Sequence, residues 1–322
     1  ATLIPKSNPF LRNLFQYIAG FDLDSRIVWI VDAIAEMFRA VDLASLLKNF
    51  VQKSHQQDPI IHFYENFLAE YDPKLRKARG VWYTPEAVVN FIVRAVDEVL
   101  KTEFNIKDGL ASSEKTTIEV DAGIDKKGKA QKQKHEVHKV QILDPATGTG
   151  TFLAEIVKFI YQSKFRNMQG LWNSYVSNHL IPRLNGFEIL MASYAMAHLK
   201  LDLLLHEYGY KSENDQRFRI FLTNSLEEYH PDTGTLFTSW LSNEANEANY
   251  IKRDTPVMVV LGNPPYSGHS ANKGEWIEKI LKDYKQEPSG GKLQEKNPKW
   301  LNDDYVKFIR YGEYFVEKNG EG

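Results

Sequence analysis

Asn263, Pro264, Pro265 and Tyr266 form a short motif that could modify a planar amine. Proline fixes φ and lacks an N–H donor, so two consecutive prolines leave backbone carbonyl groups free to point outward. The side-chain oxygen of Asn263 and the backbone oxygen of Pro264 would then form a rigid pair of acceptors, while Tyr266 offers a flat ring for stacking. Such a pair suits a substrate with an exocyclic NH2 group. A proline-stiffened turn with a core tyrosine is the alternative, and the strand end before the motif favours the first interpretation.

A glycine turn forms the second candidate site, where the sequence from Asp144 to Phe152 reads DPATGTGTF. Gly148 and Gly150 allow a sharp turn between the end of a strand and the start of a helix, and they let a ligand approach the backbone closely. Gly-x-Gly alone is a weak signal, because Leu153 occupies the third small position of a dinucleotide fingerprint. The chain also lacks the Gly-Lys-Ser/Thr of a phosphate loop, so phosphate is not the expected ligand.

Glu188 is the third candidate, at the tip of a predicted strand. A carboxylate in this position can accept two hydrogen bonds from a ribose diol. Alone, Glu188 would be interpreted as a solvated strand-end acid. Together with the glycine turn, the ribose interpretation is favoured.

These sites require a sheet whose strands end at one edge. Strands are predicted over 140–143, 184–189, 218–223 and 257–261, and helices over 152–161, 192–205 and 305–315. The alternation of strands and helices predicts an α/β fold with a doubly wound parallel sheet. In such sheets ligands bind at the carboxyl ends of the strands. Two long polar stretches, 225–255 and 267–302, are predicted as loops.

Two other regions flank or interrupt this pattern. Residues 1–75 are predicted as a helical N-terminal region and 76–322 as a second domain, because apolar residues recur at three and four spacing in the first part. Helices are predicted there around 11–18, 27–38 and 58–71. Residues 106–139 are predicted as an inserted hairpin, whose lysine-rich middle is interpreted as a solvated loop rather than a DNA contact. The hairpin strands are predicted over 116–120 and 136–140.

Composition excludes several classes of protein. The 322 residues are 43% apolar and carry 40 Lys+Arg against 42 Asp+Glu, so any nucleic-acid contact must be a local patch. The absence of cysteine excludes disulfides, thiolate metal sites and a cysteine nucleophile. No apolar run approaches the roughly 20 residues that span a bilayer. A cytoplasmic protein without a membrane partner or a metal is the expectation, with His135 and His138 interpreted as solvated loop residues.

Taken in order, the motifs resemble the γ class of DNA amino-methyltransferases, which use S-adenosylmethionine. The turn over 144–152 is similar to their cofactor motif, and 263–266 is similar to their catalytic motif. The segment from Gly80 to Pro85, GVWYTP, is similar to the one that precedes the cofactor motif and closes over the methionine part.

Further stretches resemble the methyltransferase part of Type ISP restriction–modification enzymes, which are single polypeptides. They begin at His62 (HFYENF), Tyr71 (YDPKLR) and Asn302 (NDDYVKF). The resemblance implies a Rossmann-like methyltransferase sheet, incomplete in this chain and preceded by a helical region. The missing strands, a target-recognition domain, and nuclease or ATPase modules are then expected elsewhere in a longer polypeptide. Strand 257–261 would be an unprotected edge, and the piece alone is expected to bind cofactor weakly or to methylate nothing.

The resemblance also implies roles for individual residues. The implied cofactor-binding residues are Tyr83, Thr84 and Pro85 at the methionine end, Asp144, Ala146, Gly148, Gly150 and Phe152 at the turn, Glu188 at the ribose, Ile189 on the adenine ring, and Asn224 and Ser225 at the adenine amino group. The implied catalytic residues are Asn263, Pro264, Pro265 and Tyr266. At Asn224 the family usually has an acid, so a neutral amide oxygen would accept the same bond here.

The implied reaction is methylation of the exocyclic amine of adenine in double-stranded DNA, within a bacterial or archaeal restriction–modification system. The target adenine would be flipped out of the duplex and stacked on Tyr266. Cytosine N4, an RNA base and a protein glutamine remain alternative substrates, because similar motifs serve them. A catalytically incompetent fragment that acts as a structural module is a further alternative.

Overall fold

The computed structural model describes residues 8, 10–14, 25–40, 42, 84–124, 130–211, 216–228, 236–266, 270–291, 293–295 and 298–319. The chain divides into two compact units, 1–78 and 79–322. In the first unit, residues 10–14 are helical and helix α1 spans Ser25–Ala40, where the apolar spacing predicts a helix. The helix predicted over 58–71 lies outside the described residues.

The second unit is a mixed α/β structure. Its helices are α2 (Glu86–Thr102), α3 (Thr151–Ile160), α4 (Gln169–Tyr175), α5 (Met191–Glu207), α6 (Leu236–Asp254), α7 (Glu275–Ile280) and α8 (Asp304–Asn319). Its strands are β1 (Lys115–Ile124), β2 (Ala130–His138), β3 (Gln141–Asp144), β4 (Leu184–Glu188), β5 (Arg219–Leu222) and β6 (Val257–Val260). None of the described helices is long and apolar enough to cross a membrane.

Four strands form a parallel sheet in the order β5-β4-β3-β6. Asp144 pairs with Gly186 of β4, and Leu143 pairs with Val260 of β6. The predicted parallel sheet is therefore confirmed, and its four predicted strands lie within a residue or two of the observed ones. All residues of β3 and β4 are buried, including the polar residues Gln141, Asp144, Asn185 and Glu188.

Helices cover both faces of this sheet. Successive strand residues point to opposite faces, so Ile220 and Phe221 of β5 lie on different sides. One face packs into a core cluster with α6, α7 and α8, which contains Leu143, Phe187, Phe221, Leu226, Ala248, Ile251, Val257, Ile277, Ile280, Tyr311 and Phe315. On the other face Gly186 lies against Leu153 of α3, and the Nε2 atom of His198 on α5 is 3.2 Å from the Ile220 carbonyl oxygen. Both layers hold the strand ends rigidly in place.

Helix α6 corrects the prediction of a loop over 225–255. From residue 244 onward, where the structure describes its side chains, the buried apolar positions of this helix are Ala245, Ala248 and Ile251. Two of the three are alanines, so this part of the helix has a weak apolar stripe among polar residues. Packing against the sheet, rather than a strong local pattern, accounts for the helix. Helix α7 likewise interrupts the second predicted loop, 267–302.

Strands β1 and β2 form an antiparallel hairpin in which Lys115 pairs with His138. The predicted strand 116–120 lies within β1, but β2 begins at residue 130, earlier than predicted. Lys115 and Lys132 form ion pairs with acids on the opposite strand. The interpretation of His138 as a solvated residue is wrong, because its ring is buried and lies 3.1 Å from His179 Nδ1.

Candidate active site

The glycine turn and the Asn263 motif leave the sheet side by side. The Leu261 N–H donates to the Leu143 carbonyl over 3.1 Å, which continues the pairing with β3 past the end of β6. At Gly262 a Cβ atom would lie only 2.6 Å from Asp144 Oδ1, so the backbone of Gly262 packs directly against the Asp144 carboxyl group. The first residue of the turn and the residue before Asn263 are therefore neighbours at the carboxyl edge of the sheet.

Two glycines with positive φ shape the turn after β3. Gly148 has a φ of 56° and Gly150 a φ of 80°, values that residues other than glycine rarely adopt. A Cβ on Gly150 would lie 3.2 Å from the Cβ atom of Ala197, so helix α5 packs directly on the turn. Ala146 donates its N–H to Asp144 Oδ1 over 3.1 Å, and Phe152 anchors the start of α3 in the core. The turn is thus fixed by packing on both sides.

Glu188 accepts three backbone hydrogen bonds at the end of β4. Gly148 donates over 2.7 Å, Ile189 over 2.9 Å and Leu190 over 2.7 Å. Burial raises the pKa of Glu188 to about 7, and the three N–H donors act in the opposite direction. Ile189 next to it keeps 47% of its surface exposed, so an apolar side chain faces outward beside the carboxylate.

Asp144 carries an acceptor that no described residue uses. Its Oδ2 atom is buried and has no hydrogen-bond partner among the residues that the structure describes. Burial raises the pKa of Asp144 to about 7, and the nearby charge of Glu188 adds to this effect. A buried acceptor without a donor is costly, so a donor from a bound ligand would be favourable at this atom.

The loop after β5 contains both residues predicted at the adenine amino group. Asn224 donates through Nδ2 to Glu227 Oε1 (2.9 Å) and to Asn272 Oδ1 (2.8 Å), and its own Oδ1 accepts the Leu226 N–H over 3.1 Å. An amide oxygen has two lone pairs, so one remains for a further donor. The hydroxyl of Ser225 donates to the Pro145 carbonyl and ties this loop to the glycine turn.

The predicted catalytic motif contacts the segment before α2. Asn263 donates its Nδ2 hydrogen to Thr84 Oγ1 over 2.9 Å, which turns the amide so that Oδ1 is its available acceptor. Pro264 and Pro265 are half-buried. Tyr266 is 50% exposed, and its ring meets the ring of Tyr305 edge-on at 6.4 Å between centroids. The motif thus presents an oxygen and an aromatic face at the sheet edge.

The structure brings most predicted residues to one edge. Thr84, Asp144, Glu188 and Asn263 are linked there by direct contacts between neighbouring loops. Pro85 immediately precedes α2, where it serves as the N-cap residue. Tyr83 lies outside the described residues.

Comparison with known proteins identifies the family. Residues 55–320, which make up most of the chain, match the family described as N-6 DNA Methylase. The chain belongs to the N-6 DNA methylase family. One relative is a putative type II restriction enzyme and methyltransferase of Methanocaldococcus jannaschii, which is 24% identical over 268 residues. That alignment covers 78% of this N-6 DNA methylase chain but only 21% of the relative.

Solved structures share the fold of this N-6 DNA methylase chain. The DrdV–DNA complex matches with a TM-score of 0.55 and 22% identity, over 95% of this chain and 28% of that one. The ATP-dependent Type ISP restriction–modification enzyme LlaBIII bound to DNA matches with 0.58 and 20%, over 96% and 19%. A nuclease-deletion mutant of the Type ISP enzyme LlaGI, in complex with a DNA substrate mimic, matches with 0.53 and 21%, over 98% and 27%. This chain therefore spans between a fifth and three tenths of the length of these proteins.

The sequence analysis did not identify Lys252, whose side chain stabilises the loop after β5 by hydrogen bonds. Its buried ammonium group donates to the Asn224 carbonyl over 2.8 Å and to the Glu227 carbonyl, and it lies 5.4 Å from the centre of the Phe187 ring. Burial lowers the pKa of Lys252 to about 8. Lys252 lies in 225–255, which the sequence analysis predicts as a loop. Only the structure, in which this stretch forms helix α6, shows that the Lys252 side chain points towards the loop after β5.

Proposed function

We propose that this chain transfers a methyl group from S-adenosylmethionine to the exocyclic N6 atom of adenine in double-stranded DNA, as part of a restriction–modification system. The observation that carries the proposal is the contact of Gly262 with Asp144, because it joins the Asn263 motif to the glycine turn at one sheet edge. Membership of the N-6 DNA methylase family supports adenine N6 over cytosine N4, an RNA base or a glutamine side chain.

The residues at the sheet edge fit S-adenosylmethionine, which supplies an electrophilic methyl group on a sulfonium sulfur when it is bound. Thr84 and Pro85, with Tyr83, would line its methionine end. Asp144 offers a buried acceptor without a partner, and the backbone of the glycine turn leaves room for close approach. Glu188 would accept hydrogen bonds from the ribose, and the exposed apolar side chain of Ile189 would pack on the adenine ring. The amide oxygen of Asn224 would accept from the adenine amino group, and Ser225 holds the Asn224 loop on the glycine turn.

Asn263 and Pro264 would hold the amine of the target base. An amine conjugated with its ring is a poor nucleophile, because its lone pair is delocalised. Hydrogen bonds from its two N–H groups to Asn263 Oδ1 and the Pro264 carbonyl would favour a tetrahedral nitrogen and localise the lone pair. The bond between Asn263 and Thr84 keeps that oxygen oriented before the substrate arrives. Orientation of the lone pair towards the methyl group then supplies much of the rate.

Tyr266 would receive the flipped base. The N6 atom of a stacked adenine is out of reach, so the base must leave the duplex. The half-exposed ring of Tyr266 offers a stacking surface next to Asn263, and the edge of Tyr305 restricts its movement. Double-stranded DNA is thus the proposed partner.

We further propose that the sheet is the Rossmann-like core of a methyltransferase domain over 76–322. A helical coupling region over 1–75 would precede it. Further strands, a target-recognition domain and nuclease or ATPase modules would belong to the same larger protein. Its proposed location is the bacterial or archaeal cytoplasm, where the DNA substrate is found.

Product analysis tests the proposed function. The full-length protein is expressed in a host without endogenous adenine methylation, and the host DNA is digested to nucleosides for mass spectrometry. N6-methyladenine is expected with the natural protein and not with Asn263→Ala. N4-methylcytosine in place of N6-methyladenine would contradict the proposal, as would N6-methyladenine at equal levels from both proteins.

A further inference from the structure

Asn272 bridges two parts of the site that are far apart in sequence. Its Oδ1 atom accepts the Asn224 Nδ2 hydrogen at 2.8 Å, and its Nδ2 atom donates to Asp304 Oδ1 at 3.0 Å. Asn224 lies in the loop after β5, and Asp304 is the first residue of α8. Asn272 itself follows the catalytic motif by six residues. Its side chain therefore links the loop after β5 to the start of α8.

A buried cation fixes the backbone of this bridge. Lys307 on α8 has only 1% of its side chain exposed, and its ammonium group donates to the Asn272 carbonyl, to Ser270 Oγ (3.1 Å) and to Glu278 Oε1 (3.0 Å). A buried ammonium group is tolerated only when it is paired and hydrogen-bonded, so this segment cannot move without exposing an unsatisfied charge. The side-chain oxygen of Asn272 is therefore held at a defined place opposite Asn224.

The Asn272 oxygen acts together with Glu227 and the Leu226 N–H to fix which end of the Asn224 amide is the donor. The nitrogen of Asn224 faces two acceptors, Asn272 Oδ1 and Glu227 Oε1, while its oxygen faces the Leu226 N–H. A rotation that exchanged oxygen and nitrogen would set an oxygen against two acceptors and a nitrogen against a donor. Both changes are unfavourable, so the amide oxygen keeps a lone pair for a further N–H group.

We propose that Asn272 is a positioning residue, which orients the Asn224 amide and thereby gives the site its preference for an amino group on the purine of the cofactor. This inference rests on the proposed function, because it assigns the Asn224 loop to the purine end of S-adenosylmethionine. A carboxylate accepts on either oxygen and needs no such orientation, whereas an asparagine does. Asn272 thus compensates for the neutral residue at position 224.

Binding of a matched ligand pair tests the proposal. S-adenosylhomocysteine and S-inosylhomocysteine differ at purine position 6, where the first has an amino group and the second a carbonyl. Their Kd values for the full-length protein are measured by calorimetry. The natural protein is expected to prefer the adenosine form by about tenfold, the value of one well-placed hydrogen bond. Asn272→Ala is expected to reduce this preference to about twofold or less.

Three further variants separate orientation from general damage. Asn272→Leu keeps the volume without either polar group, so it should lose the preference as Asn272→Ala does even if the alanine variant is unstable. Asn272→Asp combined with Asp304→Asn retains an acceptor for Asn224 without placing two carboxylates together, and this double variant should keep the preference. Asn173→Ala is the matched control, because Asn173 also makes one donor and one acceptor bond, to the Lys211 backbone beyond the far end of α5. It should leave both Kd values unchanged.

The outcomes distinguish this inference from the proposed function. If the natural protein binds neither ligand, the proposed function fails. If it prefers the adenosine form and Asn272→Ala and Asn272→Leu retain that preference, the role of Asn272 is wrong and the proposed function stands. Equal affinity of the natural protein for both ligands, or loss of preference in the double variant Asn272→Asp with Asp304→Asn, would also overturn the role of Asn272.

Discussion

Asn263 donates its side-chain N–H to Thr84 Oγ1 over 2.9 Å, although 179 residues separate the two in sequence. The bond joins the segment before α2 to the motif after β6. Because the nitrogen of the amide is held by Thr84, its oxygen is directed away from that contact. A single hydrogen bond thus connects the predicted methionine end of the site with the predicted catalytic acceptor.

Thr84→Val should lower the rate of methyl transfer even when the cofactor is saturating. Valine has the shape of threonine but cannot accept the Asn263 hydrogen bond, so the amide loses its fixed orientation. The expected loss is about tenfold in rate at saturating substrates, equivalent to about 1.4 kcal/mol. Thr84→Ser keeps the hydroxyl and serves as the control, and equal single-turnover rates for the two variants would contradict this role.

Tyr266→Ala should weaken the binding of the target base in its flipped-out position. Stacking of a base on an aromatic ring contributes about 1–3 kcal/mol, and Tyr266→Phe retains the ring. With 2-aminopurine at the target position, we expect the alanine variant to show a smaller fluorescence change on DNA binding and the phenylalanine variant to behave as the natural protein does. Trp300→Ala is a matched control, since Trp300 is an exposed aromatic residue that contacts Lys299. The same fluorescence in Tyr266→Ala and Trp300→Ala would disprove the stacking role.

Gly262→Ala should disturb the junction of the two motifs. Its new Cβ atom would lie 2.6 Å from Asp144 Oδ1 and 3.3 Å from Asp144 Cγ, so the buried carboxylate must move. Overpacking of this kind costs about 1–3 kcal/mol of unfolding free energy, and weaker cofactor binding should accompany it. Gly274→Ala is the control, because no heavy atom lies within 4 Å of the added methyl group. The unfolding free energy is measured by urea titration and the cofactor Kd by calorimetry. Equal values for the two alanine variants would refute the close contact.

The pH dependence of stability should reveal the buried carboxyl groups. Burial raises the pKa of Glu188 from 4.5 to about 7, so the folded protein holds a proton that the unfolded chain releases between these values. Stability from this group is therefore present below about pH 4.5 and is lost as the pH rises through about 7. Burial lowers the pKa of His138 and His198, and these groups act in the opposite direction.

A comparison of variants isolates the contribution of Glu188. The unfolding free energy of the natural protein minus that of Glu188→Gln is measured by denaturant titration at intervals from pH 5 to pH 8. Both histidines are present in both proteins, so their contribution cancels. The part of the raised Asp144 pKa that the Glu188 charge causes is lost in the variant, and it changes the difference in the same direction as Glu188 itself. The difference should fall as the pH rises and level off above pH 7. A difference that stays constant from pH 5 to pH 8 would contradict the raised pKa of Glu188.

The strand ends were predictable from sequence because their signals are local. Short apolar runs before Asp144, Glu188 and Gly262 predict strands, and parallel strands place those residues at one edge. The glycines at 148 and 150 were predictable as well, since their backbone conformations favour glycine. These features require no knowledge of distant residues.

The polar contacts that orient the site could not be predicted in this way. The bonds of Asn263 to Thr84 and of Asn224 to Asn272 join residues that no local spacing relates. Helix α6 was missed, and Lys252 with it, because two of the three buried apolar residues in its described part, Ala245 and Ala248, are small. In each case tertiary packing, rather than the local pattern, determines the structure.

Single-turnover methyl transfer by Asn263→Ala is the most direct test of the central claim, that Asn263 accepts a hydrogen bond from the reacting amine beside the bound methyl donor. The full-length protein, saturated with S-adenosylmethionine and its DNA substrate, is mixed and quenched at set times, and cofactor Kd is measured in parallel. We expect the transfer rate to fall by about a hundredfold or more while Kd stays within about twofold, because the lost contact acts on the reacting amine and not on the cofactor. A transfer rate that survives the substitution, or a loss explained entirely by weaker cofactor binding, would contradict the claim.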